Sequence, residues 1–428
     1  MRALLEQWLP HGSFARHVSI LTGGTVIAQG LAFLALPLLT RLYTPENFSL
    51  FAIYTSALGI IATVASGRYN LAITMPRDDH AALAVLSVAL LCTLVTTALV
   101  TLMILVTSNL TDSWLHASIG KYPDARQYLW LLPVGVLAYG AYDAIQYWTS
   151  RKRRFDTITR TRITRAIGGV TAQLAWGASS SGPLGLLVGH VVYGALGIVA
   201  LARDLFERDR AMLRLISWRA CKRQAKAFRR FPTLSVPEAL LNVVGLHLPI
   251  IMIGLLNPGA EAGQLMLAMT VIGAPMALIG SSVSQVYISE APDRLRDGTL
   301  TAFTRQTMWT MFKYSAPLLV VMGLIAPFAF PLVFGQEWTR AGLLLLWMTP
   351  WFVAQFVASP LSAVLLVANR MIFAIALQLL GLFIRVGSVF FAANYMPNQI
   401  SEVYVLSSAI FYGLYCLSIF IVTNERPR

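Results

Sequence analysis

Apolar residues in this chain gather into long blocks with no alternation inside them, separated by short polar stretches. Twelve blocks stand out, at about 17–39, 48–66, 82–107, 128–148, 163–181, 184–202, 235–256, 264–288, 314–334, 342–367, 371–392 and 402–423. Each is close to the roughly 20 residues that a helix needs to cross a hydrocarbon layer about 30 Å thick. Strands of a membrane barrel would show short segments alternating between apolar and polar positions instead. The pattern predicts an all-α polytopic membrane protein with twelve transmembrane helices, and no stretch between blocks is long enough for a soluble domain.

The blocks share a finer punctuation. "LALPLLTRLYTP" at 34–45 and "LHLPIIMIGLLNP" at 246–258 each hold a Leu-Pro inside an apolar run and a second proline at its stop. "LWLLP" at 129–133 is echoed by "LWMTP" at 346–350, and each leads a span that ends at a basic residue, Arg151 or Arg370. Pro37 to Pro133 is 96 residues and Pro249 to Pro350 is 101, so the paired features keep their order and nearly their spacing. The chain divides on this basis into an N-terminal lobe of six spans (1–202), a basic cytoplasmic linker (203–234) and a C-terminal lobe of six spans (235–428). Because six is even, both lobes enter the membrane in the same direction. Such parallel repeats are typical of transporters that open a central cavity to each side in turn. Pro37 and Pro249 are the hinge candidates, with kinks that serve packing alone as the alternative.

Composition agrees: 57% of residues are hydrophobic and 12% charged, against about a quarter charged in soluble domains. The net charge of +14 would suit nucleic acid, but its distribution argues for topology signals. With the N-terminus cytoplasmic, the outer loops hold only Arg41, Lys121, Arg126 and Arg340, and nearly all other Lys and Arg fall in inner loops. That asymmetry is the positive-inside rule, and it predicts both termini in the cytoplasm. No nucleic-acid partner is expected; the basic loops lie beside anionic headgroups. The first 19 residues lack a signal-peptide pattern and suit a short interfacial helix. Cys92, Cys221 and Cys416 imply neither a disulfide framework nor a metal site.

Four stretches carry a family resemblance: 36–82 ("LPLLTRLYTPENFSLFAIYTSALGIIATVASGRYNLAITMPRDDHAA"), 228–256 ("FRRFPTLSVPEALLNVVGLHLPIIMIGLL"), 265–300 and 334–364 ("FGQEWTRAGLLLLWMTPWFVAQFVASPLSAV"). They are similar to the Wzx-type oligosaccharide flippases of bacterial polysaccharide and lipopolysaccharide biosynthesis, in the superfamily that also holds multidrug and toxin extruders. The resemblance covers nearly the whole chain. It implies a MATE-like pair of six-helix lobes around a central cavity in the bacterial cytoplasmic membrane. It also implies translocation of an undecaprenyl-diphosphate-linked oligosaccharide from the cytoplasmic to the periplasmic leaflet, with polysaccharide polymerase and chain-length machinery as downstream partners. Three positions depart from the family pattern: Asn70 where an acid often follows Arg-Tyr, Ser49 where Gly is usual, and Thr270 where Arg is common.

A diphosphate and a hydroxylated glycan need cations and hydrogen-bond donors on a polar path, and ionisable residues inside spans are the default candidates. Arg385 is the clearest. Gln378, Gly381, Arg385 and Ser388 follow i, i+3, i+7, i+10 and share one helical face. A guanidinium fork meets two phosphate oxygens, although Arg385 is also near enough to the outer end to snorkel. Arg68 and Asn70, at the inner end of the second span, suit the mouth of the path or a topology charge. Asp143 is a candidate for pairing with Arg68 or for ion coupling to H+ or Na+, and Glu238 is the second acid considered for coupling. Further polar stripes are Thr22, Thr25 and Gln29; Glu238, Asn242 and Gly245; and Gln355, Ser359 and Ser362, all at spacings that tight helix packing also uses. His190 and His247 read as packed hydrogen bonders, and Trp114, Trp338 and Tyr395 as an interfacial belt.

The chain carries no phosphate-binding glycine loop with its lysine, no zinc spacing and no Ser/His/Asp constellation. Neither a cofactor nor an enzymatic activity is expected. A drug or cation antiporter of the same fold is the first alternative and would want an acidic cavity. A polysaccharide polymerase or ligase would want a large outer loop, whereas the longest here spans about 108–127.

Overall fold

The computed structural model describes residues 13–109, 128–213, 216–362, 364–367 and 370–424. The N-terminal interfacial helix, Trp114 and the side chain of Thr22 lie outside the described residues. Within them the protein is helical, with no strand. The helices are α1 (Ser13–Leu42), α2 (Pro45–Ala65), α3 (Tyr69–Ala72), α4 (Asp79–Asn109), α5 (Leu131–Arg151), α6 (Phe155–Ser179), α7 (Leu184–Leu213) and α8 (Trp218–Ala227). They continue as α9 (Val236–Leu256), α10 (Glu261–Arg296), α11 (Leu300–Phe334), α12 (Thr339–Ala358), α13 (Val364–Val367), α14 (Met371–Tyr395) and α15 (Ile400–Asn424).

Twelve of these have 20 residues or more, and among the described residues nine segments are long and apolar enough to cross a membrane. The three long helices outside that set are α5, α6 and α10. Polar residues account for two of them, Asp143 and Gln146 in α5 and Arg160, Arg162 and Arg165 in α6.

Prolines behave in two ways. α1 and α9 run unbroken through Pro37 and Pro249, and the Thr40 hydroxyl donates back to the Pro37 carbonyl at 3.1 Å. The block expected at 342–367 is not one helix: α12 stops at Ala358, a 3-10 turn covers Ser359–Leu361, and α13 restarts at Val364. Pro360 supplies no amide hydrogen and its ring crowds the preceding turn. Gln355, Ser359 and Ser362 therefore do not form one continuous helical face.

By contact the chain forms two compact units, Met1–Leu42 with Ala57–Leu240, and Tyr43–Ser56 with Leu241–Arg428. α2 changes unit midway, and the basic segment 203–234 belongs to the first unit.

In the first unit α6 packs on α1 and α7, and α5 packs on α4 and α7. Tyr69, Ile73, Leu83, Leu86, Ile145, Trp148, Leu201 and Leu205 form an apolar core at its basic end. α8 closes that core with Cys221, Ser217 capping its first turn through the Ala220 amide at 3.2 Å. The Tyr69 hydroxyl donates to the Ala225 carbonyl at 3.1 Å. Several charges of the basic run are tied up here. Arg154 donates to Asp209 at 2.8 Å and to Asp204 at 2.9 Å, and the Trp148 indole donates to Asp209 at 2.9 Å. Hydrogen bonding to Asp209, then Asp204, holds the Arg154 pKa above its ordinary value. Arg151 and Lys152 meet Asp79 at 3.0 and 2.5 Å.

In the second unit α12 is central, packed against α10, α11 and α15. Arg340 joins Glu261 at 2.8 Å and Glu402 at 2.6 Å, tying α10, α12 and α15 at one end. Ser49, a departure from the family pattern, accepts from the Gly263 amide at 2.8 Å. A Cβ on Gly263 would stand 2.0 Å from the Pro45 carbonyl oxygen, so this approach of α2 and α10 requires glycine.

Candidate functional site

The second unit holds the strongest predicted residue. Arg385 is 1% exposed, which removes the snorkelling alternative. Its Nε donates to the Gly381 carbonyl of its own helix at 3.0 Å, and its guanidinium carbon lies 4.6 Å from the Phe411 ring centroid. Gly245 on α9 makes the room: a Cβ there would fall 2.7 Å from Nη2. Nη1 is buried with no hydrogen-bond partner among the described residues, and no ion pair there includes Arg385. Ser388, on the same face, donates to the Arg385 carbonyl at 2.9 Å and meets the Ser407 hydroxyl at 2.9 Å. Gln378, two turns before Arg385, is half-buried.

A cavity of about 350 Å³ lies between α10 and α12, lined by Gly273, Gly280, Ser284, Phe352, Gln355 and Ser359. The glycines of α10 leave it open. The Gln355 Oε1 is buried without a hydrogen-bond partner among the described residues, beside the cavity that Gln355 helps to line. Such an atom is costly unless something meets it.

In the first unit, Gly67 and Arg68 both adopt φ of 59° and break the chain between α2 and α3. For Arg68 the left-handed conformation costs about 1–2 kcal/mol. The break turns Asn70 inward, where its amide donates to Asp143 and its Oδ1 accepts from Ser66 at 3.0 Å. Arg68 donates instead to Ser235 at 3.4 Å. Arg68, Asn70 and Asp143 are thus neighbours, but the partner of Asp143 is the amide.

Other predicted residues do not join these groups. Gln29 has a buried Oε1 without a hydrogen-bond partner among the described residues, and Thr25 accepts from Arg162 at 2.5 Å. Glu238 and Asn242 are exposed on α9. His190 is a packed hydrogen bonder, 2.8 Å from the Tyr139 hydroxyl.

One residue escaped the sequence reading. Arg165 was grouped with the basic run, yet it is buried on α6. Its guanidinium lies 3.8 Å from the ring centroids of both Tyr142 and Tyr193 and 5.5 Å from that of Tyr139. Its Nε has no hydrogen-bond partner among the described residues. Two signals were available. Ile158, Thr161, Arg165 and Gly169 share a helical face, and Arg165 precedes Arg385 by 220 residues where the repeated prolines are 212 and 217 apart. Among the described residues no group of three or more His, Cys, Asp or Glu is placed to hold a metal.

A family model of polysaccharide biosynthesis proteins matches residues 38–342. The chain belongs to this family. No curated protein matches the sequence. Among solved structures, this family member is similar to an inward-facing multidrug resistance MATE family transporter of the MOP superfamily (TM-score 0.65, 15% identity, 95% of this chain and 96% of that one). It is also similar to a eukaryotic MATE transporter (0.58, 13%, 96% of each chain). A MOP superfamily transporter from Pyrococcus furiosus is a further match (0.57, 14%, 95% and 94%). At these identities the likeness is one of fold. The protein is a multi-pass membrane member of a polysaccharide biosynthesis family with the MATE fold.

Proposed function

We propose that this protein moves an undecaprenyl-diphosphate-linked oligosaccharide from the cytoplasmic to the periplasmic leaflet of the bacterial cytoplasmic membrane by alternating access. Both termini and the 203–234 segment face the cytoplasm. The observation that carries this is Arg385, a buried cation with one free nitrogen and no carboxylate partner among the described residues, in a polysaccharide biosynthesis protein of transporter fold. A diphosphate is the anion that a guanidinium fork suits. The Gln355 cavity supplies hydrogen-bonding capacity for glycan hydroxyls, and the isoprenoid tail needs no polar path. Asp143, hydrogen-bonded by Asn70 inside the membrane region, is the carboxylate on which an H+ or Na+ gradient acts. A drug or cation antiporter would need acidic walls, and the Gln355 cavity is lined by neutral residues.

Deleting the gene tests this. The expected result is loss of one surface glycan, with its lipid-linked unit retained in the cytoplasmic leaflet and delivery restored by the wild-type gene. Loss of drug tolerance with normal surface glycan would point to the antiporter. For topology, a cysteine introduced at Lys222 should resist an impermeant reagent in intact cells and one at Asn257 should react; the reverse would overturn the orientation.

A further inference from the structure

A groove of about 660 Å³ runs along the second unit between α11, α12 and α15. Its walls include Met308, Phe312, Val320, Val353, Val357 and Phe420, and its charged lining residue is Arg305 at one end. Arg305 is exposed and has no ion pair among the described residues. Trp309, 65% exposed, stands beside it and stacks on Phe312 at 5.8 Å between ring centroids. Gly413 gives the groove its depth: a Cβ there would meet nothing within 4 Å.

We propose that this groove holds an acyl chain of an anionic phospholipid of the cytoplasmic leaflet, with Arg305 on its phosphate. Length is the first reason. Arg305 to Val320 is 15 residues of helix, about 22 Å at 1.5 Å per residue. One leaflet offers about 15 Å of hydrocarbon plus a headgroup layer of roughly 5–7 Å. The groove therefore runs from headgroup depth to the bilayer midplane and no further. Charge is the second. Arg305 is at the end of α11 that follows Arg294 and Arg296, the end assigned to the cytoplasm, where anionic lipids and basic residues meet. Chemistry along the length is the third: below the arginine come an amphipathic tryptophan and then apolar walls, the order of phosphate, interface and chain in a phospholipid. The polyprenyl tail of a lipid carrier is far longer than this groove.

The test is a titration of the purified, delipidated full chain by native mass spectrometry with phosphatidylglycerol and, separately, phosphatidylcholine. The wild type is expected to hold phosphatidylglycerol about tenfold more tightly. Arg305→Gln should bring phosphatidylglycerol down to the phosphatidylcholine level and leave the latter unchanged. Gly413→Leu fills the groove and should weaken both at least fivefold, with the thermal midpoint unchanged as the check on folding. Unaltered phosphatidylglycerol binding in Gly413→Leu would overturn the site. Displacement of phosphatidylglycerol by equimolar undecaprenyl phosphate, abolished by Gly413→Leu, would overturn the phospholipid as occupant in favour of the carrier.

Discussion

Arg165 on α6 and Arg385 on α14 are each buried within a 25-residue helix of their own unit, and their surroundings differ. Arg165 is sandwiched between Tyr142 and Tyr193, both at 3.8 Å, with Tyr139 beyond. Arg385 has one ring, Phe411, at 4.6 Å, a bond to its own helix and a bare glycine backbone against Nη2. Ring faces stabilise a desolvated cation without an anion, by about 2 kcal/mol or more. Both arginines keep one buried nitrogen without a hydrogen-bond partner among the described residues, but the first unit surrounds its cation with three rings and the second with one. On the proposed function, the second cation is the one that the substrate's diphosphate would meet, and the ring-enclosed first one is not.

The largest expected effect separates them by activity. Arg385→Ala should abolish delivery of the lipid-linked unit while the protein still accumulates in the membrane, and Arg385→Lys should restore part of it, since a point charge replaces a bidentate fork. Arg165→Ala should reduce delivery only as far as it reduces folded protein. Complete loss of delivery in a fully folded Arg165→Ala protein would break the comparison.

Stability should then sort the two in opposite directions. Arg165→Met removes a cation from three rings and is expected to cost about 2–3 kcal/mol. Arg385→Met removes a poorly satisfied buried charge, and should stay within about 1 kcal/mol of the wild type or exceed it. Thermal unfolding of the purified proteins reads both.

Glycines give the finer contrast. At Gly169 a Cβ would stand 2.8 Å from the Tyr193 Cβ and 3.2 Å from the Gly189 carbonyl oxygen, atoms that cannot easily yield, so Gly169→Ala should cost about 1–3 kcal/mol. At Gly245 the obstacle is the end of a flexible side chain, so Gly245→Ala should cost under about 1 kcal/mol while moving the Arg385 guanidinium. Its delivery rate should fall severalfold at unchanged thermal midpoint. Equal destabilisation by the two alanines would remove the distinction.

Asn70→Asp is expected to lower both the amount of folded protein and delivery per folded molecule, since Asp143 is the proposed coupling carboxylate; unchanged delivery would remove that role. The change sets a second carboxylate against Asp143 where the amide now donates. Adding Asp143→Asn to Asn70→Asp should restore folding; whether it also restores delivery decides which position must carry the acid.

Most of the helical order was legible in the chain. Apolar blocks report the thickness of the bilayer, which each helix must match on its own. The exception, the break at Ser359–Leu361, came from a proline inside a run that hydropathy alone joins. Arg385 was legible because a charge between apolar neighbours is conspicuous. Arg165 was not, because its neighbours Arg160 and Arg162 made a buried charge look like part of a cytoplasmic cluster.

Hydropathy, charge asymmetry and paired prolines determined an all-helical membrane protein with a repeated design, since these depend on residues near one another and on the bilayer. Only the tertiary structure decided that Asp143 takes Asn70 as its partner, that three tyrosines enclose Arg165, and that Gly245 faces the Arg385 guanidinium. Those pairings depend on the rotation and approach of helices far apart in the chain, and only packing sets them.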